Sequence, residues 1–281
     1  MSRTQIFSLT LLAMIAFAGN SLLCRLALRH TSMDAASFTS IRIISGALTL
    51  WLIMRMRGGT NSTAGNWPSA LALFIYAAAF SYAYVSLSAA TGTLLLFGAV
   101  QATMIGYGLW SGERLGMRQS AGLLCAFSGL VGLILPGVSA PPLLGSLLML
   151  GAGIAWGVYS LRGKSAGDPT FVTAGNFLRA APLAALLSVV TFPWISLDSS
   201  GFWYAISSGT LASGVGYAIW YTALRGLKAT SAATVQLSVP VIAAVGGIVF
   251  LGEAITLRLL IASAAILGGI ALVIVNRQPA N

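Results

Sequence analysis

The chain has 281 residues, of which 57% are apolar and 7% charged, with a net charge of +10 and a mean hydropathy of +0.90. Those values exclude a soluble globular domain and describe a protein that crosses a membrane many times. The basic residues stand one or two per loop rather than in a patch, so the charge reads as an orientation signal and not as a nucleic-acid surface.

A membrane-spanning helix needs about 20 apolar residues, and ten such segments fit: 5–28, 36–54, 67–88, 91–110, 119–136, 143–162, 170–191, 202–224, 230–251 and 258–275. The runs are too long for barrel strands and do not alternate, so the predicted fold is an all-α polytopic membrane protein. The first span imitates a secretory signal, with Arg3, an apolar stretch from Ile6 to Phe17 and a possible cleavage site at Ala16-Phe17-Ala18. Hydrophobicity resumes through Leu22 to Leu28, so the segment is expected to be retained as a span. Asn20 places an amide within it. Cys24, like Cys125 in span 5, reads as a small packing residue.

Span 2 is entered through the polar stretch Asp34 to Ser40, with the aspartate as a helix cap, and carries Arg42 in apolar surroundings. Tyr76, Phe80 and Tyr84 recur at four-residue spacing on one face of span 3. Gln101 lies in span 4, which ends near Gly108 and Gly112, a spacing that marks helix contacts in lipid. After span 5 a Pro-rich turn, 136–142, separates the two halves. Span 6 places Trp156 and Tyr159 on one face, beside Gly153 and Gly157. Span 7 mirrors span 2, with an entry from Asp168 to Gly175, then Arg179 and Pro182. Span 8 carries Tyr217, Trp220 and Tyr221, and span 9 carries Gln236, Ser238 and Pro240. A proline inside a span removes a backbone hydrogen bond and kinks or opens the helix. Trp51, Trp67, Trp110, Trp194 and Trp203 fall near span ends, as interfacial anchors do; Trp220 reads equally as anchor or cavity wall.

Residues near the end of each half recur at an offset of 140: Gly106, Gly112, Glu113, Arg118 and Gly129 return as Gly246, Gly252, Glu253, Arg258 and Gly269. Apolar similarity alone would not place the same Gly-Glu pair five residues before the same Arg. The chain is therefore read as a tandem, 1–140 and 141–281, of two five-helix repeats intertwined in one domain. Five is odd, so the copies are inverted, as in many secondary transporters. With the N-terminus inside, ten Lys and Arg residues fall in inner segments and three in outer ones, which puts both termini in the cytoplasm.

A buried charge in a membrane requires a partner or water. Arg42 and Arg179 either cap carbonyls at a neighbouring helix end or serve as gating or substrate-carboxylate contacts. With Pro240 they form the candidate hinge or gating set. Asn20, Tyr84, Gln101, Trp156, Tyr159, Tyr217 and Gln236 are the candidate cavity lining, suited to an amphipathic small molecule. Enzyme chemistry is not expected: His30 is the single histidine, no Walker loop is present, and the five acids fall at span ends. No metal or cofactor is implied. The absence of a titratable group within the spans favours passive transport or exchange over proton coupling. The expected partners are the lipid bilayer and the small-molecule substrate, with no nucleic acid, in a monomer or weak homo-oligomer.

Pro240, Gly246-Gly247, Phe250-Leu251-Gly252-Glu253 and the Gly268-Gly269 helix, echoed by Ser111-Gly112-Glu113-Arg114-Leu115 and by Ala155-Trp156-Gly157, resemble the drug/metabolite transporter superfamily of the EamA type. In span 1, Phe17-Ala18-Gly19-Asn20 departs from that family's usual Trp-Gly-x-Asn by carrying Phe for Trp, while Asn20 matches. Within the family the chain is most similar to the YddG-type bacterial exporters of aromatic and other amino acids. The resemblance implies a multi-pass protein of the bacterial inner membrane, a basket of helices around a central cavity and alternating access. A carrier of another metabolite or drug, and a non-transporting scaffold, remain open because the motifs specify fold far better than cargo.

Overall fold

A backbone in lipid must satisfy its own hydrogen bonds, and the chain does so with helices that start at side-chain caps. The computed structural model describes residues 2–58, 64–112, 114–137, 139–163, 168–227 and 235–275. Helices α1 (Arg3–His30), α2 (Ala35–Met56), α3 (Trp67–Tyr84), α4 (Ala89–Trp110) and α5 (Met117–Ile134) make up the first half. The second half begins with α6 (Leu143–Gly163) and α7 (Pro169–Val190). Then α8 (Ser199–Ser207), a π-helical stretch (Ser208–Val215) and α9 (Gly216–Leu224) run on without a break as the eighth span. Helices α10 (Ser238–Leu251) and α11 (Leu257–Val275) complete the ten. Among the described residues seven helices meet the length and hydropathy of a full span; α3, the π-interrupted eighth span and the short α10 fill the other three places.

Three of the five acids are accounted for as caps. Asp34, Asp168 and Asp198 accept backbone N–H bonds at the starts of α2, α7 and α8. Asn66 and Ser88 do the same for α3 and α4. Gly112 and Gly252, equivalent in the 140-residue offset, both take a left-handed backbone, at φ of 92° and 64°. This conformation ends α4 and α10 and favours glycine. The spacing of Gly108 and Gly112 predicts a helix contact, but a Cβ at Gly112 would meet nothing within 4 Å, so this glycine terminates its helix rather than packing it. Glu113 lies outside the described residues.

The helix contacts come in pairs that exchange when the halves are exchanged. Helix α3 packs on α6 as α1 packs on the eighth span; α4 packs on α6 as α1 packs on α10; α2 meets α7, and α5 meets α11. Close approach is made through small residues. A Cβ on Gly122 of α5 would stand 2.6 Å from the Gly269 carbonyl of α11, so two backbones touch where a larger residue would separate them. Outward faces carry the large apolar side chains expected against lipid, among them Trp110, Phe250 and Val249. The interior holds the polar ones, including Asn20, Arg42 and Ser81.

Two sequence expectations differ in register. Arg42 stands eight positions after its cap Asp34, whereas Arg179 stands eleven after Asp168; the residue matching Arg42 along α7 is therefore Asn176. Pro240, expected inside a span beginning at 230, falls in the first turn of α10, where a missing N–H is tolerated. The helical path is interrupted just before it, at Leu237 (φ −67°, ψ −13°).

Candidate functional site

Where the halves meet, buried aromatic rings converge from α3, α6, α7 and α9, joined by the half-buried Trp156 of α6 and Phe17 of α1. Trp156 of α6 lies 4.8 Å from Tyr76 of α3, 5.3 Å from Tyr159 and 5.2 Å from Tyr217 of α9, centroid to centroid. Tyr217 also meets Phe177 of α7 at 6.0 Å and Phe17 of α1 at 5.8 Å, and Phe17 meets Trp220 at 5.9 Å. Phe80 extends the cluster between Tyr76 and Tyr84. The i, i+4 spacing of Tyr76, Phe80 and Tyr84 aims their rings to one side, and the paired contacts of α3 with α6 close the cage.

A charge sits inside it. Arg42 is 2% exposed. Its guanidinium lies over the rings of Tyr76 (5.2 Å) and Phe80 (4.9 Å), an attraction strengthened by exclusion of water. Nη2 donates to the Tyr76 hydroxyl at 3.1 Å and Nε to the Ser213 hydroxyl at 3.4 Å. Nη1 is buried and has no hydrogen-bond partner among the described residues. Beside it, Asn20 Nδ2 donates to the Tyr76 hydroxyl at 3.5 Å, and Asn20 Oδ1 accepts from the Ser208 hydroxyl at 2.6 Å.

Ser208 and Ser213 belong to the π-helical stretch, which the sequence reading did not anticipate. π-Helical turns concentrate at functional sites. Here the Ser208-Gly209-Thr210 run lets the backbone lie directly on α2, where a Cβ on Gly209 would overlap the Arg42 carbonyl and the Ser45 hydroxyl. The small, hydroxyl-bearing composition of 207–214 was the available signal.

Of the candidate lining, Asn20, Trp156 and Tyr217 lie in the cage. Tyr159 borders it, accepting from Asn176 Nδ2 at 3.5 Å, and Tyr84 lies further out, its hydroxyl donating to the Ala89 carbonyl at 3.4 Å. Gln101, buried on α4, and Gln236, half-buried ahead of α10, make no hydrogen bond to these rings among the described residues. Phe17, Tyr76, Phe80 and Phe177 join the site, although the lining predicted from sequence omits them. Arg179 has another role: Nη1 donates to the carbonyls of Ala64 (2.7 Å) and Gly175 (2.9 Å), the carbonyl-capping alternative. Trp220 is buried against Phe17, whereas Trp51, Trp67, Trp110, Trp194 and Trp203 are exposed near helix ends.

The two ends of the cage differ. On the face opposite the N-terminus, Arg25 Nε pairs with Glu253 Oε1 at 3.1 Å, with side chains only 12% and 15% exposed. Arg25 Nη1 also donates to the carbonyls of Tyr84 (2.9 Å) and Val85 (3.2 Å), while Glu253 Oε2 accepts from the Ala89 N–H at 2.8 Å. One ion pair thus ties together the outer ends of α1, α3, α4 and α10. Toward the N-terminal face a cleft of about 440 Å³ opens between α1 and α9, lined by Thr4, Gln5, Ser8, Leu9 and Thr222. The exposed Arg225–Asp168 pair (3.2 Å) lies on this face, where solvent screening leaves such a pair little strength.

The profile of the EamA-like transporter family matches residues 143–275. An uncharacterized protein of Pseudomonas aeruginosa is 57% identical over 270 residues, covering 96% of this chain and 94% of that protein. The threonine/homoserine exporter RhtA of Escherichia coli is 35% identical over 136 residues, 46% of this chain and 45% of the exporter. An uncharacterized transporter of Archaeoglobus fulgidus is 25% identical over 256 residues, 86% of this chain and 88% of that one. A solved crystal structure with 21% identity superposes with a TM-score of 0.66 over 95% of this chain and 97% of its own, a likeness of fold.

Proposed function

We propose that the chain, whose residues 143–275 match the EamA-like transporter family, is a secondary transporter exporting amino acids, aromatic or other neutral, or similar amphipathic metabolites. The observation that carries this reading is the cage of Trp156, Tyr76 and Tyr217 at the seam of the two halves, tied on one face by the Arg25–Glu253 pair, with a separate cleft between α1 and α9 on the opposite face. Apolar walls with a few orienting polar groups suit a small amphipathic molecule. The RhtA exporter carries amino acids by its name, and its match to this chain supports the cargo class. The aromatic rings favour the aromatic, YddG-type end of that class.

In this reading 1–140 and 141–281 are inverted repeats. The N-terminal face, with ten of the loop Lys and Arg residues, is cytoplasmic in a bacterial inner membrane, and both termini lie there. The geometry corresponds to a state closed outward, and export proceeds by breaking the outer tie while the cytoplasmic cleft closes. No metal or cofactor takes part, and the protein works as a monomer or weak homo-oligomer. Counterflow of radiolabelled amino acids in proteoliposomes tests the cargo. Exchange of phenylalanine, tryptophan or threonine above empty liposomes is expected; flux of another metabolite with none of any amino acid overturns the cargo assignment.

A further inference from the structure

The cage holds a cation without a counter-ion. The ion pairs among the described residues are Arg25–Glu253 and Arg225–Asp168, both at helix ends. Around Arg42, among the described residues, there are hydroxyls, one amide, the Cys24 thiol and π faces, and no carboxylate hydrogen-bonds it. A buried guanidinium in a membrane needs compensation, and five N–H donors leave capacity that two hydroxyl acceptors do not fill. Nη1 is the atom left over, fully buried and without an acceptor among the described residues. The two hydroxyls fix the planar group over the rings of Tyr76 and Phe80, and Trp156 stands against Tyr76.

We propose that Arg42 Nη1 is the docking point for the carboxylate of the transported molecule, and that the site recognises a monocarboxylate with an aromatic or branched apolar body without requiring an α-ammonium group. The inference rests on the transport reading for its ligand but on Arg42 geometry for its chemistry. A bound carboxylate makes the cage electrically neutral. An ammonium group finds no acidic side chain there among the described residues, only neutral acceptors such as Asn20 Oδ1 and the ring faces. Asn20 and Ser208 stand beside the Tyr76 hydroxyl and orient the second carboxylate oxygen or an α-substituent. The substrate class therefore extends from neutral amino acids to their deaminated or N-acylated acids.

The test is a binding series on the purified full-length protein in nanodiscs, read by intrinsic tryptophan fluorescence and by calorimetry. The probes share one ring: 3-phenylpropionate, L-phenylalanine and 2-phenylethylamine. The expected order has 3-phenylpropionate binding at least as tightly as phenylalanine, with the amine at least tenfold weaker. Arg42→Gln should weaken the two carboxylates by roughly 10- to 100-fold, the range of a lost charge-assisted hydrogen bond, and should leave the amine unchanged. Arg42→Lys should recover part of the loss. Equal binding of amine and acid to the unaltered protein overturns the proposal without any variant, as does binding of none of the three or undiminished acid binding by Arg42→Gln. Counterflow in the same preparation separates the two readings. Amino-acid exchange undiminished in Arg42→Gln removes the anchor and keeps the transporter. Arg42-dependent binding of 3-phenylpropionate with no amino-acid exchange keeps the anchor and removes the amino-acid cargo.

Discussion

Replacing Glu253 by Gln should shift the protein away from its outward-closed state. The carboxylate takes Arg25 Nε at 3.1 Å and the Ala89 N–H at 2.8 Å, with both charged side chains mostly buried. Removing the charge keeps the shape but leaves one acceptor oxygen for two N–H donors, so one of the Arg25 and Ala89 bonds is lost and the other is weakened, with the Tyr84 and Val85 carbonyls still holding Arg25. Hydrogen bonds to charged groups contribute about 1.5–3 kcal/mol each against about 1 for neutral ones. The closed state should therefore lose about 2 kcal/mol, a roughly 30-fold shift in the closed-to-open ratio. Cys24 reports the shift directly, being fully buried one residue before Arg25 and four after Asn20. In a Cys125→Ser background, a membrane-impermeant maleimide added outside should label Cys24 of Glu253→Gln at least tenfold faster than the unaltered site. Equal labelling rates would refute the assignment of this pair as the outer closure.

Trp156→Leu removes the ring that touches Tyr76, Tyr159 and Tyr217, and should weaken substrate half-saturation in counterflow about tenfold, given about 0.5–1.5 kcal/mol per lost aromatic pair. Gly269→Val sets a side chain against the Gly122 carbonyl, which a Cβ alone would already crowd; overpacking of about 1–3 kcal/mol should lower the melting temperature in detergent by several degrees, read by size-exclusion after heating. Burial raises the Asp34 carboxyl, but hydrogen bonds from Ser37, Ser196 and Ala36 outweigh it and hold the group below its ordinary value of 3.8. Its contribution to stability is therefore present above the unfolded value and lost as pH falls through the lower folded one. Asp34→Asn should melt lower than the unaltered protein at neutral pH, and the difference should narrow below about pH 4.

Much of the scaffold was legible because its signals are local. Asp34 and Asp168 announce helix starts by residue type, and Tyr76, Phe80 and Tyr84 share a face by spacing alone. The predicted lining took only Tyr84 from that face, whereas Tyr76 and Phe80 are the two that meet the Arg42 guanidinium. What escaped depends on contacts between distant segments. Arg25 and Glu253 stand 228 residues apart, and nothing near either names its partner. Arg42 and Arg179 look alike in sequence, yet one turn of register sends Arg42 into the cage and Arg179 onto the Ala64 carbonyl. Gln101 and Gln236 are polar residues in apolar runs, a local signal that does not say which groups they meet. The π-helical stretch carries only a Ser- and Gly-rich run, which reads equally as helix packing.

The inverted tandem is tested most directly by the sidedness of its two equivalent loops. Single cysteines placed at Arg114 and Ile255, in a background without Cys24 and Cys125, can be labelled in intact cells with an impermeant reagent. The account predicts that Ile255→Cys reacts from outside and that Arg114→Cys reacts only after the cells are opened. Reaction of both from the same side would contradict it.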